Sequence, residues 1–223
     1  MRSFVLRQGR LTGAQKRALD ELLPHYGIPP GTSPIDFEAL FKRKSEVILE
    51  IGFGNGDSLR QMAQNEPERD FIGVEVHPPG IGHLLLALEE HAIENVRIAA
   101  SDAVPFLQER IAPASLAAVR IYFPDPWPKK RHHKRRLIQP RFVRLLARCI
   151  RSGGVLHLAT DWQPYADHML EVLAANPSFT NLSVQGDYCT RPDWRPETKY
   201  ERRAGRLGHE IRDLLFERNA APP

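Results

Sequence analysis

Acids stand where apolar runs stop. EVILEI (46–51) carries Glu50 at its end and runs into Gly52, Gly54 and Gly56. FIGVEV (71–76) carries Glu75, NVRIAA (95–100) leads to Ser101-Asp102, LAAVRIYF (116–123) leads to Asp125, and VLHLAT (155–160) leads to Asp161. A carboxylate accepts hydrogen bonds from hydroxyl and amino groups and attracts cations. Five of them gathered at one sheet edge would suit a ligand rich in hydroxyls, amines and positive charge.

EIGFGNG is a G-x-G-x-G turn between an apolar run and a helical segment, where glycine permits a sharp bend and close approach to a ligand. On its own this is also the pattern of a bare strand-to-helix turn. Glu75 sharpens it, lying 25 residues after Glu50, near the spacing of about 20 at which an acid takes ribose hydroxyls. A nucleoside cofactor follows. The NAD pattern G-x-G-x-x-G sets a pyrophosphate on the helix N-terminus. Here the third glycine comes one residue early, and Glu50 would repel phosphate. S-adenosylmethionine carries a sulfonium, an ammonium and no phosphate, so charge favours the methyl donor. Asp102 is read equally as an acceptor for the adenine amino group and as a helix N-cap before Val104.

FPDPWPKKRHHKRR (123–136) fences Asp125 between Pro124 and Pro126, which restrict its backbone. Trp127 offers a flat face for a base, and six cations follow: Lys129, Lys130, Arg131, Lys134, Arg135 and Arg136. They belong to 31 Lys and Arg set against 27 Asp and Glu; without them 25 cations face 27 anions. The positive excess therefore sits in one segment, the footprint of a polyanion such as nucleic acid.

The rest of the composition narrows the class. The 42% hydrophobic and 26% charged content is that of a globular protein. Two cysteines on unrelated segments, Cys149 and Cys189, argue against a disulfide framework and a metal site, and suit a cytoplasmic setting. No apolar run reaches membrane-spanning length, and MRSFVLRQGR lacks the apolar core of a secretory leader.

The elements that must position these residues alternate. Residues 1–34 read as a basic arm (Arg2, Arg7, Arg10), a helix opened by the capping box Thr12-Gly-Ala-Gln15, and a Pro/Gly linker; residues 35–223 read as the main domain. Helices are predicted over 36–43, 57–64, 82–91, 104–111, 140–151 (stopped by Gly153-Gly154) and 164–175. Strands are predicted over the five runs named above, over 179–184 and over 211–216. The alternation predicts an α/β fold with parallel strands, right-handed crossovers and helices on both faces, with ligands beyond the strands' carboxyl ends. Asp57 is expected to cap a helix, Cys149 to sit in the core, Trp162 to pack, and His209 to lie near the last strand.

EIGFGNGDSL, IGVEVH, SDA, YFPDPWPKKRHHKRR, LATDW, RPETKYERR and LGHEIRDLLFER, in this order, resemble the tRNA (guanine-N7-)-methyltransferases. Pro128 and Pro78 depart from the family pattern but carry no assigned role. The resemblance implies a Rossmann-like class I methyltransferase fold, a seven-stranded, mostly parallel sheet with the last strand antiparallel. It implies methyl transfer from S-adenosylmethionine to N7 of a guanosine in the tRNA variable loop. By position, Glu50, Gly52, Gly54, Glu75, Asp102 and Asp125 resemble the cofactor contacts, with Asp125 also catalytic. Lys129, Asp161, Thr198, Lys199, Tyr200 and Glu201 resemble the substrate-binding positions, and Arg131, His132, His133, Lys134, Arg135 and Arg136 the RNA-contacting segment. No metal, membrane or obligatory protein partner is expected, and a monomer or homodimer would serve. The alternatives are an NAD-dependent oxidoreductase, a methyltransferase acting on another RNA or guanine atom, and a non-catalytic RNA-binding protein on the same fold.

Overall fold

The computed structural model describes residues 9–198, 201, 208 and 210–220. Arg2 and Arg7 of the expected arm, and Lys199, Tyr200 and His209, lie outside the described residues. The chain forms two compact units, the first ending at Ala112 and the second beginning at Pro113.

In the first unit, helices α1 (Gly13–Glu21), α2 (Leu23–Tyr26) and α3 (Phe37–Phe41) precede β1 (Val47–Ile51), α4 (Asp57–Asn65), β2 (Asp70–Val74), α5 (Pro78–Glu90), β3 (Val96–Ala99) and α6 (Ala103–Arg110). The capping box forms as read. Thr12 Oγ1 accepts from the Gln15 N–H at 3.2 Å, and Gln15 Oε1 accepts from the Thr12 N–H at 3.0 Å. The three strands are parallel, in the order β3-β2-β1. Every residue of β1 and β2 is buried, which is why these runs read as continuously apolar and not as alternating. The segment before residue 35 is tied into this unit. Gln15 Nε2 donates to Pro79 O at 3.1 Å, the Ile28 N–H to Ile98 O at 2.8 Å, and the Ile35 N–H to Arg110 O at 2.9 Å. The division between the two compact units falls at 112/113.

The second unit holds β4 (Leu116–Tyr122), a 3₁₀ turn (Lys130–Arg135), α7 (Pro140–Cys149), β5 (Ile150–Thr160), α8 (Gln163–Ala174), β6 (Phe179–Asn181) and β7 (Arg212–Arg218). The strand order is β4-β5-β7-β6; β4 and β5 are parallel, and β7 runs antiparallel to both β5 and β6. Leu146, Leu156, Leu158, Tyr165, Met169, Leu173 and Leu214 are fully buried and form its core. One expectation fails here. Gly153-Gly154 do not stop α7, which ends at Cys149; they lie inside β5. The register jumps from Leu116↔Ile150 to Ala118↔Val155, and Gly153 has φ 71. A Cβ on Gly154 would stand 2.8 Å from Ala117 O, so the pair serves a bulge in the strand.

No helix among the described residues is long and apolar enough to cross a membrane.

Candidate active site

The first unit brings three of the expected acids to the carboxyl ends of neighbouring strands. Glu50 is the penultimate residue of β1 and only 3% exposed. Glu75 follows β2, its N–H donating to Ala99 O of β3 at 3.1 Å, while the Gly52 N–H donates to Val74 O at 2.8 Å, so the three strand ends are level. The Glu75 carboxylate holds the local backbone. Oε2 accepts from the Gly54 N–H at 2.9 Å, and Oε1 from the N–H groups of Val76 and His77 at 2.7 and 3.0 Å. Asp102 is the N-cap of α6, its Oδ1 accepting from the Val104 N–H at 3.0 Å. Asp57 proves to be the first residue of α4, and Gly56 takes the cap position with φ 81.

The glycines divide into two uses. A Cβ on Gly56 would meet Leu84 at 2.7 Å, so Gly56 lets α5 pack against the turn. Gly52 and Gly54 have φ 74 and 60, and no atom of the described residues stands within 4 Å of a Cβ built on either. The turn therefore keeps open space beside carboxylates. That donor set fits S-adenosylmethionine, whose hydroxyl, amino and ammonium groups need acceptors and whose charge is positive. It does not fit a pyrophosphate.

In the second unit, the loop after β4 is held on both sides of Asp125. The Phe123 N–H donates to Ala159 O of β5 at 2.8 Å, and Pro126 O accepts from Arg136 Nε at 3.0 Å. Phe123 and Trp127 have φ 50 and 45, left-handed values for residues with side chains, each costing about 1–2 kcal/mol. Left-handed backbone thus stands on both flanks of a proline-fenced, exposed acid.

The basic run is a 3₁₀ turn and not an open loop, with Lys129 at its N-cap. Lys129, Lys130, Arg131 and Lys134 are exposed, while His132, His133 and Arg135 are half-buried. Burial, then the cations Arg131, Arg135, Lys129 and Lys134, lower the pKa of His132, so its ring favours the neutral form. Trp127 does not offer a bare face: the Arg135 guanidinium lies 3.8 Å from its ring centroid, and His132 meets it edge-on at 6.0 Å. Arg136 corrects the expectation for the run. It is 4% exposed, donates from Nε to Pro126 O and from Nη1 to Pro164 O at 3.3 Å, and lies 4.8 Å over the Tyr165 ring. A guanidinium so enclosed has no reach to a phosphate; it joins the Asp125 loop to the start of α8.

Asp161 follows β5 as Asp125 follows β4, and it is half-buried. Trp162 occupies the N-cap of α8, its N–H donating to Thr160 Oγ1 at 3.2 Å. Thr198 Oγ1 accepts from the Glu201 N–H at 3.2 Å. The Glu201 carboxylate is gripped by Arg195, with Nη1···Oε2 2.6 Å and Nη2···Oε1 3.1 Å, and by Arg191 at 3.3 Å. Behind it lie groups that sequence reasoning missed: Arg195, Asp213, His157 and Tyr122. Two of them carried a signal. Asp213 interrupts the apolar run IRDLLF, and His157 interrupts VLHLAT. A polar residue in a strand that must be buried demands a partner.

The comparisons fit this arrangement. The family model described as "Putative methyltransferase" matches residues 44–214. The tRNA (guanine-N(7)-)-methyltransferase of Alcanivorax borkumensis is 51% identical over 99% of this chain and 92% of its own length. Those of Idiomarina loihiensis and Nitrosococcus oceani are 54% identical, over 98% and 97% of this chain and 89% and 90% of theirs. Among solved structures, the 16S rRNA methyltransferase KamB aligns at a TM-score of 0.62 and 16% identity, covering 86% of this chain and 96% of KamB. The phosphoethanolamine N-methyltransferase 2 of Haemonchus contortus, in complex with S-adenosyl-L-methionine, aligns at 0.51 and 12%, covering 96% of this chain and 55% of its own. These likenesses show the fold, a Rossmann-like α/β sheet of seven mostly parallel strands with helices. Identity above one half along almost the entire chain goes further: the chain belongs to the tRNA (guanine-N(7)-)-methyltransferase family.

Proposed function

We propose that this chain methylates N7 of a guanosine in tRNA, in the variable loop, with S-adenosylmethionine as donor. The observation that carries the reading is Asp125, fenced by prolines, held at both ends and followed by a turn of exposed cations, in a chain with relatives of that name. Glu75 takes the ribose hydroxyls with its remaining lone pairs, Asp102 takes the adenine amino group while capping α6, Gly52 and Gly54 give the backbone room, and Glu50 adds negative charge. When bound, the cofactor supplies a methyl group on a positively charged sulfur.

Guanine N7 has an in-plane lone pair and no proton, so the protein need not supply a base to activate it. It must orient the purine and stabilise the positive charge that the ring acquires. Asp125 does the second, its carboxylate fixed in place so that little reorganisation is needed. Asp161 accepts from guanine N1–H and the exocyclic amine and thereby selects guanine, since adenine presents no donor at N1. Lys129 and the segment 198–201 complete substrate binding. Arg131, His132, His133, Lys134 and Arg135 grip phosphates around the target. A cytoplasmic setting suits the free thiols of Cys149 and Cys189. All assigned residues come from one chain, so no partner protein is required, and a monomer or homodimer serves.

Incubation with methyl-labelled donor and unmodified tRNA, followed by digestion, identifies the product. Labelled 7-methylguanosine mapping to the variable loop supports the reading. Label at another guanine atom, at another site, or none at all overturns it.

A further inference from the structure

We propose that Arg195 is a positioning residue, docking Glu201, and with it Thr198, onto the sheet through Asp213 of β7. The inference rests on the reading of the segment 198–201 as substrate-binding and names what holds it in place.

The Arg195 side chain is 0% exposed. Its guanidinium serves two carboxylates at once. Toward β7, Nε donates to Asp213 Oδ1 at 2.7 Å and Nη2 to Oδ2 at 2.9 Å. Toward the segment, Nη1 and Nη2 reach the two oxygens of Glu201 at 2.6 and 3.1 Å. Two planar forks sharing one cation fix orientation as well as distance. Burial works against the Arg195 charge, but its pairs with Glu201 and Asp213 more than offset it and raise its pKa. The anchor continues inward. Asp213 Oδ1 also meets His157 Nε2 at 2.7 Å, and His157 Nδ1 meets the Tyr122 hydroxyl at 3.0 Å. Asp213 Oδ1 already accepts from Arg195 Nε, so Nε2 carries the His157 proton and Nδ1 accepts from Tyr122. Tyr122 closes β4, three residues before Asp125. One polar chain thus runs from the segment to the strand that carries the catalytic loop.

A buried ion cluster is a poor source of stability, because apolar residues of equal volume often do as well. What it supplies here is geometry. Glu201 is 12% exposed, with both oxygens committed to arginines, so it secures the segment's end and leaves substrate contact to Thr198. A displacement of about 1 Å in such a segment costs about a hundredfold in rate.

The test uses the full chain and unmodified tRNA. Arg195→Lys keeps the charge but cannot fork to both carboxylates. Expected are a kcat/KM for tRNA lowered by about ten- to a hundredfold, with cofactor Kd by calorimetry unchanged within about twofold. Glu201→Gln, which leaves the Arg195–Asp213 pair intact, should show the same kinetic defect with a smaller change in Tm. Combining Arg195→Lys with Thr198→Ala should cost little more than the worse single change, since both act through one segment. Wild-type tRNA kinetics in Arg195→Lys or Glu201→Gln, or an equal loss of cofactor affinity, overturns the positioning role. Wild-type kinetics in Thr198→Ala overturns instead the substrate-binding reading beneath it.

Discussion

Replacing Arg136 by Ala and, separately, Lys134 by Ala separates two jobs that a single run of basic residues conceals. Arg136 is 4% exposed and donates to Pro126 O and Pro164 O at 3.0 and 3.3 Å, above the Tyr165 ring. Each bond from a charged donor contributes about 1.5–3 kcal/mol, and the ring contact about 1 kcal/mol. The guanidinium gave up water to be there, which offsets part of that sum, and burial accordingly lowers its pKa. The net expected loss in Arg136→Ala is about 2–4 kcal/mol, read as a lower urea midpoint with unchanged slope. Turnover should fall too, because the carbonyl that follows Asp125 loses its anchor. Lys134 is exposed, and its removal should shift stability by no more than about 0.5 kcal/mol. It should instead weaken tRNA binding and reduce the slope of log K against log salt by about 0.7–0.9, one phosphate's worth of counterions. Urea melts and filter binding across a salt series give both readouts. A stable Arg136→Ala protein with a flattened salt slope would refute the division.

Other outcomes follow from the same geometry. Asp125→Asn keeps the shape of the loop and removes the charge; kcat at saturating tRNA and cofactor should fall by about a hundredfold or more, whatever cofactor affinity the contact also contributes. Wild-type turnover there would rule out the electrostatic role. Gly56→Ala drives a Cβ into Leu84 at 2.7 Å, whereas Gly52→Ala meets only the strain of a left-handed φ, so thermal melts should show the larger loss at Gly56. Burial lowers the pKa of His157 below its ordinary 6.5, with Asp213 opposing the shift. The unfolded chain therefore binds the extra proton first as pH falls. The contribution of His157 to stability is complete above about pH 6.5 and declines below it, and His157→Gln should flatten that acid limb in pH-dependent urea melts.

Local chemistry was legible in the sequence wherever a residue's role depends on its neighbours along the chain. The Thr12–Gln15 box closes as written, because its partners are three residues apart. Apolar runs ended by an acid became parallel strands with Glu50, Glu75 and Asp102 at their ends, because a strand buried on both faces must be apolar until it leaves the sheet. Tertiary structure decided the rest. Gly153-Gly154 read as a helix stop and became a bulge, since only the register with Ala117 shows the need for a close backbone approach. Arg136 resembles its basic neighbours in type, but carbonyls at residues 126 and 164 draw it inside. Arg195 meets Asp213 across 18 positions, and Asp213 meets His157 across 56. Composition and periodicity register the charge of such residues; the burial that makes each depend on one distant partner arises only when the strands have paired.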